Sequence, residues 1–103
     1  MTRAGRDLIG SWRREPGESC GPDYAAELHF GPDGLYEGTT DPPGEFTWWD
    51  SGTWLVTEAG RVSLSIANDA VVSYRYELTA DRLTIVDPSG CRVTYRRQPD
   101  GRR

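Results

Sequence analysis

The chain contains no lysine: all 12 of its basic residues are arginine. That absence excludes Schiff-base catalysis, which needs a lysine amine. Histidine is reduced to His29, and cysteine to Cys20 and Cys91. The two cysteines match no zinc-ligand spacing, and one imidazole cannot complete a structural site around them. No metal and no cofactor is therefore expected. No apolar run approaches the roughly 18 residues of a membrane span. The first residues, "MTRAGRDLIGSWRRE", carry arginines but no apolar segment of a secretory signal. The expectation is a cytoplasmic chain with no membrane partner, its cysteines free thiols. A Cys20–Cys91 bridge would require a fold that brings their Cα atoms within about 7 Å. The net charge of −4 lacks the basic face of a general nucleic-acid binder, so no nucleic acid is expected as a partner.

Helical periodicity is missing as well, apart from "AGRDLI", which suits a single turn. What the sequence has is alternation and turn chemistry. "YAAELHF" places Tyr24, Ala26, Leu28 and Phe30 on one face and Glu27 and His29 on the other. "GPDG" is a turn into "LYEGT". "EFTWW" and "GTWLVT" both favour strand, with "DSG" between them as a turn or bulge. In a regular strand the adjacent Trp48 and Trp49 point to opposite faces. "VSLSIA" puts Val62, Leu64 and Ile66 inward. Asn68 and Asp69 mark a tight turn, since Asn68 tolerates the left-handed conformation. "VVSYRYEL" aligns Val72, Tyr74, Tyr76 and Leu78, and Arg75 should point outward. "RLTIVD" and "CRVTYRR" complete the series.

Counted together, these are about eight short strands spaced by about ten residues, joined by short connections. The 103 residues make one domain. The expected fold is all-β: a single small up-and-down antiparallel barrel, closed so that no strand edge is exposed. The domain is expected to span residues 1–98, with 99–103 a disordered tail.

The pattern resembles a minimal lipocalin-like, calycin-type β-barrel. "LIGSW" is similar to the Gly-x-Trp signature of that family's first strand, here Gly10 and Trp12. The resemblance implies an arginine near the end of the last strand that packs over Trp12 and closes one end of the barrel. "TYRR" offers Arg96 or Arg97, and Arg97 shares a face with Val93 and Tyr95. No counterpart of the family's Thr-Asp-Tyr motif or of its C-terminal helix is present.

Candidate chemistry is sparse. His29 falls on the outward side of its strand, and nothing local joins it to Cys91 as a nucleophile–base pair. Glu27 and Glu37 flank the "GPDG" hairpin, where facing carboxylates would need a solvated rim or an arginine partner. No phosphate-binding glycine loop or calcium loop is present. No catalytic residue is assigned. The aromatic residues carry the remaining signal. Tyr24, Phe30, Trp48, Trp54, Tyr74, Tyr76 and Tyr95 are the candidate ligand-binding set, lining an interior for a small apolar or aromatic molecule. The same residues would equally serve as core. One reading is then a protein-interaction or inhibitor-like barrel with a packed interior, a homodimer or the ligand of a partner protein. Another is a cyclase or isomerase that uses the shape of the pocket.

Overall fold

Residues that alternate apolar and polar become strands, and the turn residues between them set the hairpins. The computed structural model describes residues 6–16, 24–40 and 44–99. A 3-10 turn at Arg6–Leu8 leads into eight strands: β1 Gly10–Arg14, β2 Glu27–Phe30, β3 Leu35–Thr39, β4 Ser51–Glu58, β5 Arg61–Ser65, β6 Val71–Leu78, β7 Arg82–Val86 and β8 Arg92–Arg97. Each strand pairs antiparallel with the next, and β8 pairs back to β1. The sheet is a closed up-and-down barrel, as the alternation predicts. Residues 100–103, most of the expected tail, lie outside the described residues, as do Cys20 and Asp41–Pro43.

An eight-stranded barrel is just wide enough for its own side chains to fill. Here the inward positions hold Trp12, Leu28, Phe30, Tyr36, Val62, Leu64, Tyr74, Leu83, Ile85, Val93 and Tyr95, all buried. Tyr36 was not singled out from the sequence. It is the inward residue between exposed Leu35 and Glu37, and its hydroxyl donates to the Ser65 carbonyl at 2.6 Å.

Three local expectations need correction, and one turn needs refining. "EFTWW" is not a strand: residues 44–50 form a loop, and β4 begins at Ser51. The segment has no register partner: single bonds join the Gly38 N–H to the Asp50 carbonyl and the Ala67 N–H to the Trp48 carbonyl, while Trp49 is buried over the end of the barrel. Glu27 and Glu37 do not face each other; Glu27 is opposite Thr39 and Glu37 is opposite His29. Glu27 instead forms an ion pair with Arg13, its neighbour on β1. The left-handed residue of the β5–β6 turn is Asp69, at φ 69°, while the Asn68 side chain accepts from the Ala70 N–H. Finally, Cys91 is not a free thiol but disulfide-bonded, and Cys20 is the only other cysteine in the chain. Bonds of this kind persist in oxidising compartments.

Strand direction alternates, so the connections gather at two ends. The β1–β2, β3–β4, β5–β6 and β7–β8 connections share one end, called the mouth below. The N-terminal 3-10 turn and the other three connections share the opposite end. No helix among the described residues is long and apolar enough to cross a membrane.

One glycine makes the mouth possible. Gly38 on β3 donates its N–H to the Asp50 carbonyl at 2.6 Å. A β-carbon at this position would overlap the Trp49 carbonyl and come within 2.8 Å of the Ala25 β-carbon. Gly38→Ala is therefore expected to lower stability by about 1–3 kcal/mol, as overpacking does. Urea unfolding would measure the loss, and a red shift of tryptophan emission would mark the displacement of Trp49.

Candidate functional site

The end opposite the mouth is sealed by Trp12. Its indole N–H donates to the Leu8 carbonyl at 2.9 Å, which ties the 3-10 turn across the barrel. Arg97 is the register partner of Trp12, and its guanidinium lies 4.3 Å from the centre of the Trp12 ring. The same guanidinium donates to the carbonyls of Asp7 at 2.7 Å and Ile9 at 3.3 Å. Gly10 stands at φ 130°, a conformation open to glycine, with Arg97 Nη1 3.3 Å from where a β-carbon would sit. Arg96 points the other way and meets Glu15 and Asp81.

The mouth is filled by side chains that arrive from loops. Tyr24 comes from the β1–β2 connection and Trp49 from the β3–β4 connection. Trp49 is fully buried. Its ring lies 4.1 Å from Tyr24, 5.3 Å from Tyr74 edge-on and 6.2 Å from Tyr95. Its indole N–H donates to the Tyr74 hydroxyl at 3.0 Å. The Tyr95 hydroxyl donates to the Ala25 carbonyl at 2.7 Å, and that of Tyr24 to Asp87 at 2.7 Å. The Trp49 indole and the hydroxyls of Tyr74, Tyr95 and Tyr24 thus each have a partner, as buried aromatic hydroxyls and indoles require.

The candidate residues therefore divide into separate places. Tyr24, Tyr74 and Tyr95 converge on Trp49. Phe30 and Trp54 form a second group with Tyr36, at 5.2 and 6.1 Å from the Phe30 ring, and the Trp54 indole donates to the Gly31 carbonyl. Tyr76 is half-buried on β6. Trp48 packs edge-on against Phe46 at 5.0 Å, and Phe46 is 60% exposed. Trp49, the centre of the mouth, is not among the candidates that the sequence offers, because it lies in a loop, where strand periodicity carries no information.

His29 lies on the outer face, where its Nδ1 meets the Ser11 hydroxyl at 2.9 Å. It borders a hollow of about 510 Å³ along the β2–β3 hairpin, together with Asp33, Leu35, Glu37 and Ser51. Among the described residues no group of three or more His, Cys, Asp or Glu gathers to hold a metal ion. Compared with protein-family models, with curated proteins and with solved structures, the chain matches none. What stands is a closed eight-stranded antiparallel barrel with buried aromatic clusters.

Burial sets the electrostatics of the interior tyrosines. It raises the Tyr74 hydroxyl above its ordinary value of 10.0, against the opposing hydrogen bond from the Trp49 indole. Burial likewise raises Tyr36, with Asp50 adding to it, and Tyr76, with Asp7 adding to it. For Asp87, burial pulls upward, but the donors Ser89, Tyr24 and the N–H groups of Cys91 and Ser89 outweigh it, so the carboxyl lies below its ordinary value of 3.8.

Two pH dependences follow. A folded-state tyrosine value above the unfolded one means that the fold favours the neutral phenol. That stability is complete below pH 10.0 and is lost as pH rises beyond it. The urea midpoint should therefore fall above pH 10, with phenolate absorbance appearing together with unfolding. Asp87 has the opposite sign: its contribution is present above 3.8 and is lost as pH falls through its lower folded value. Asp87→Asn should be less stable than wild type at neutral pH, and the difference should narrow on acidification.

Proposed function

We propose that this chain is a lipocalin-type binding barrel that takes a small flat aromatic or apolar molecule at its mouth, in the place filled by the Trp49 indole. The observation that carries this reading is the origin of that indole. It comes from a loop rather than a strand, lies against Tyr24 and ends on the Tyr74 hydroxyl. Loops open at lower free energy than the strands they join. The side chain that leaves exposes a slot already shaped for a flat ring with one hydrogen-bond donor. Truncating a packed core tryptophan costs about 3–5 kcal/mol, and a ligand of similar area and polarity restores what its departure loses. The Gly-x-Trp and Arg97 closure at the other end supports the lipocalin assignment. The disulfide at Cys91 supports an oxidising compartment over the cytoplasm as the place of work.

A second reading rests on Phe46, which is largely exposed beside Trp48. With Trp49 a permanent part of the core, that pair would be a contact for a partner protein or a second copy of the chain.

Calorimetric titration with indole and 2-naphthol, followed also by the Trp49 indole N–H resonance, separates the two. Wild type is expected to bind saturably with a shift of that resonance, and Trp49→Ala to bind about tenfold tighter or more, because the competing plug is gone. Binding by Trp49→Ala alone would make the indole permanent core and overturn the ligand reading. Sedimentation equilibrium would then test for the second copy.

A further inference from the structure

The outward arginines of the strands follow one pattern with one exception. Arg13 meets Glu27, Arg61 meets Glu58, Arg82 meets Glu15, Arg92 meets Glu77, and Arg96 meets Glu15 and Asp81. Arg75, exposed on β6, has no carboxylate within 4.0 Å among the described residues. What it faces is another arginine: Arg61 and Arg75 are register partners across β5 and β6. Directly opposed side chains in such a pair start about 4.5–5.5 Å apart at Cβ, and like charges there repel. Arg61 has only a loose contact with Glu58, 3.7 Å between exposed side chains, which solvent screens.

The pair borders a hollow of about 360 Å³, also lined by Ser73, Val86, Asp87, Pro88 and Gly90. Asp87 is the one carboxylate in that lining, and it is already committed. Its Oδ1 accepts from the Ser89 N–H, the Ser89 hydroxyl and the Cys91 N–H, and its Oδ2 from the Tyr24 hydroxyl. It is occupied in holding the turn and does not reach Arg75. A chain of net charge −4 thus sets two positive groups against each other with only the exposed Glu58 beside Arg61 and, among the described residues, no carboxylate on Arg75.

We propose that this hollow binds an oxyanion of the phosphate or sulfate class, held between Arg61 and Arg75, with the Ser73 hydroxyl as a further donor. Two guanidinium forks match the oxygens of such a group. A dianion neutralises both charges, which a single carboxylate does not. The overall negative charge of the chain repels anions in general, so binding here depends on the local pair.

The test is a titration of the arginine Nε–H resonances with sodium phosphate, sodium sulfate and sodium acetate, at ionic strength held constant with sodium chloride. Saturable shifts are expected for Arg61 and Arg75 with phosphate and sulfate, with Arg82 unmoved. Arg75→Gln should weaken the binding by about tenfold or more, the usual scale for losing a bidentate charged contact. Arg82→Gln should leave it unchanged. Without added anion, Arg75→Gln should unfold at no lower urea concentration than wild type, since it relieves a repulsion. Shifts that stay linear, an unchanged curve in Arg75→Gln, or acetate binding as tightly as phosphate would overturn the proposal.

Discussion

The hydrogen bond from the Trp49 indole to the Tyr74 hydroxyl is the contact on which the mouth of the barrel depends. It fixes a loop side chain against the strands, and Tyr24 and Tyr95 pack around it. The backbone that carries Trp49 can come this close only because Gly38 has no side chain. The tyrosine hydroxyls then reach the loop carbonyl of Ala25 and the turn carboxylate of Asp87. In this way two long connections are held against one turn by a small set of polar contacts inside an apolar surround, where each such bond is stronger and each orphaned group costlier than in water.

The two ends of the barrel are closed by different means. At one end the closing residue, Trp12, belongs to a strand, and Arg97 opposite it bonds two carbonyls of the N-terminal segment. At the mouth the closing residues belong to loops. A strand-borne plug moves only when the sheet breaks, whereas a loop-borne one moves by local opening. That contrast supports the proposed ligand site at the mouth. The outer surface has its own order: arginines interleave with carboxylates around β7, β8 and β1, and the pattern fails at Arg75, where a hollow lies beside the pair.

Much of the architecture was legible in the residues. The period-two alternation of "VSLSIA" and "VVSYRYEL", and turns such as "GPDG", led to eight sequential strands and to the barrel. The phase of Arg97 with Val93 and Tyr95 pointed it inward, and the resemblance to the Gly-x-Trp barrels implied Trp12 as its partner. The "FTWW" segment misled because aromatic residues favour strands wherever burial rewards them, and here burial is supplied by the barrel mouth instead of a neighbouring strand. Tyr36 was overlooked although its strand alternates, since a single aromatic between Leu35 and Glu37 gives a short pattern. The pairing of Glu27 with Arg13 rather than Glu37 follows from register, which hairpin length fixes and composition does not.

The sequence by itself determined that the chain makes short strands, in what order, and which side chains point inward, because side-chain direction in a strand is a local property with a period of two. It also determined that lysine chemistry is excluded. Only the tertiary structure decided that Trp49 rather than Trp48 fills the mouth, that Cys91 is bonded, and that Arg75 faces Arg61. Each of these joins residues distant in the chain or lying in loops, where contact is set by closure of the whole sheet and no local period reports it.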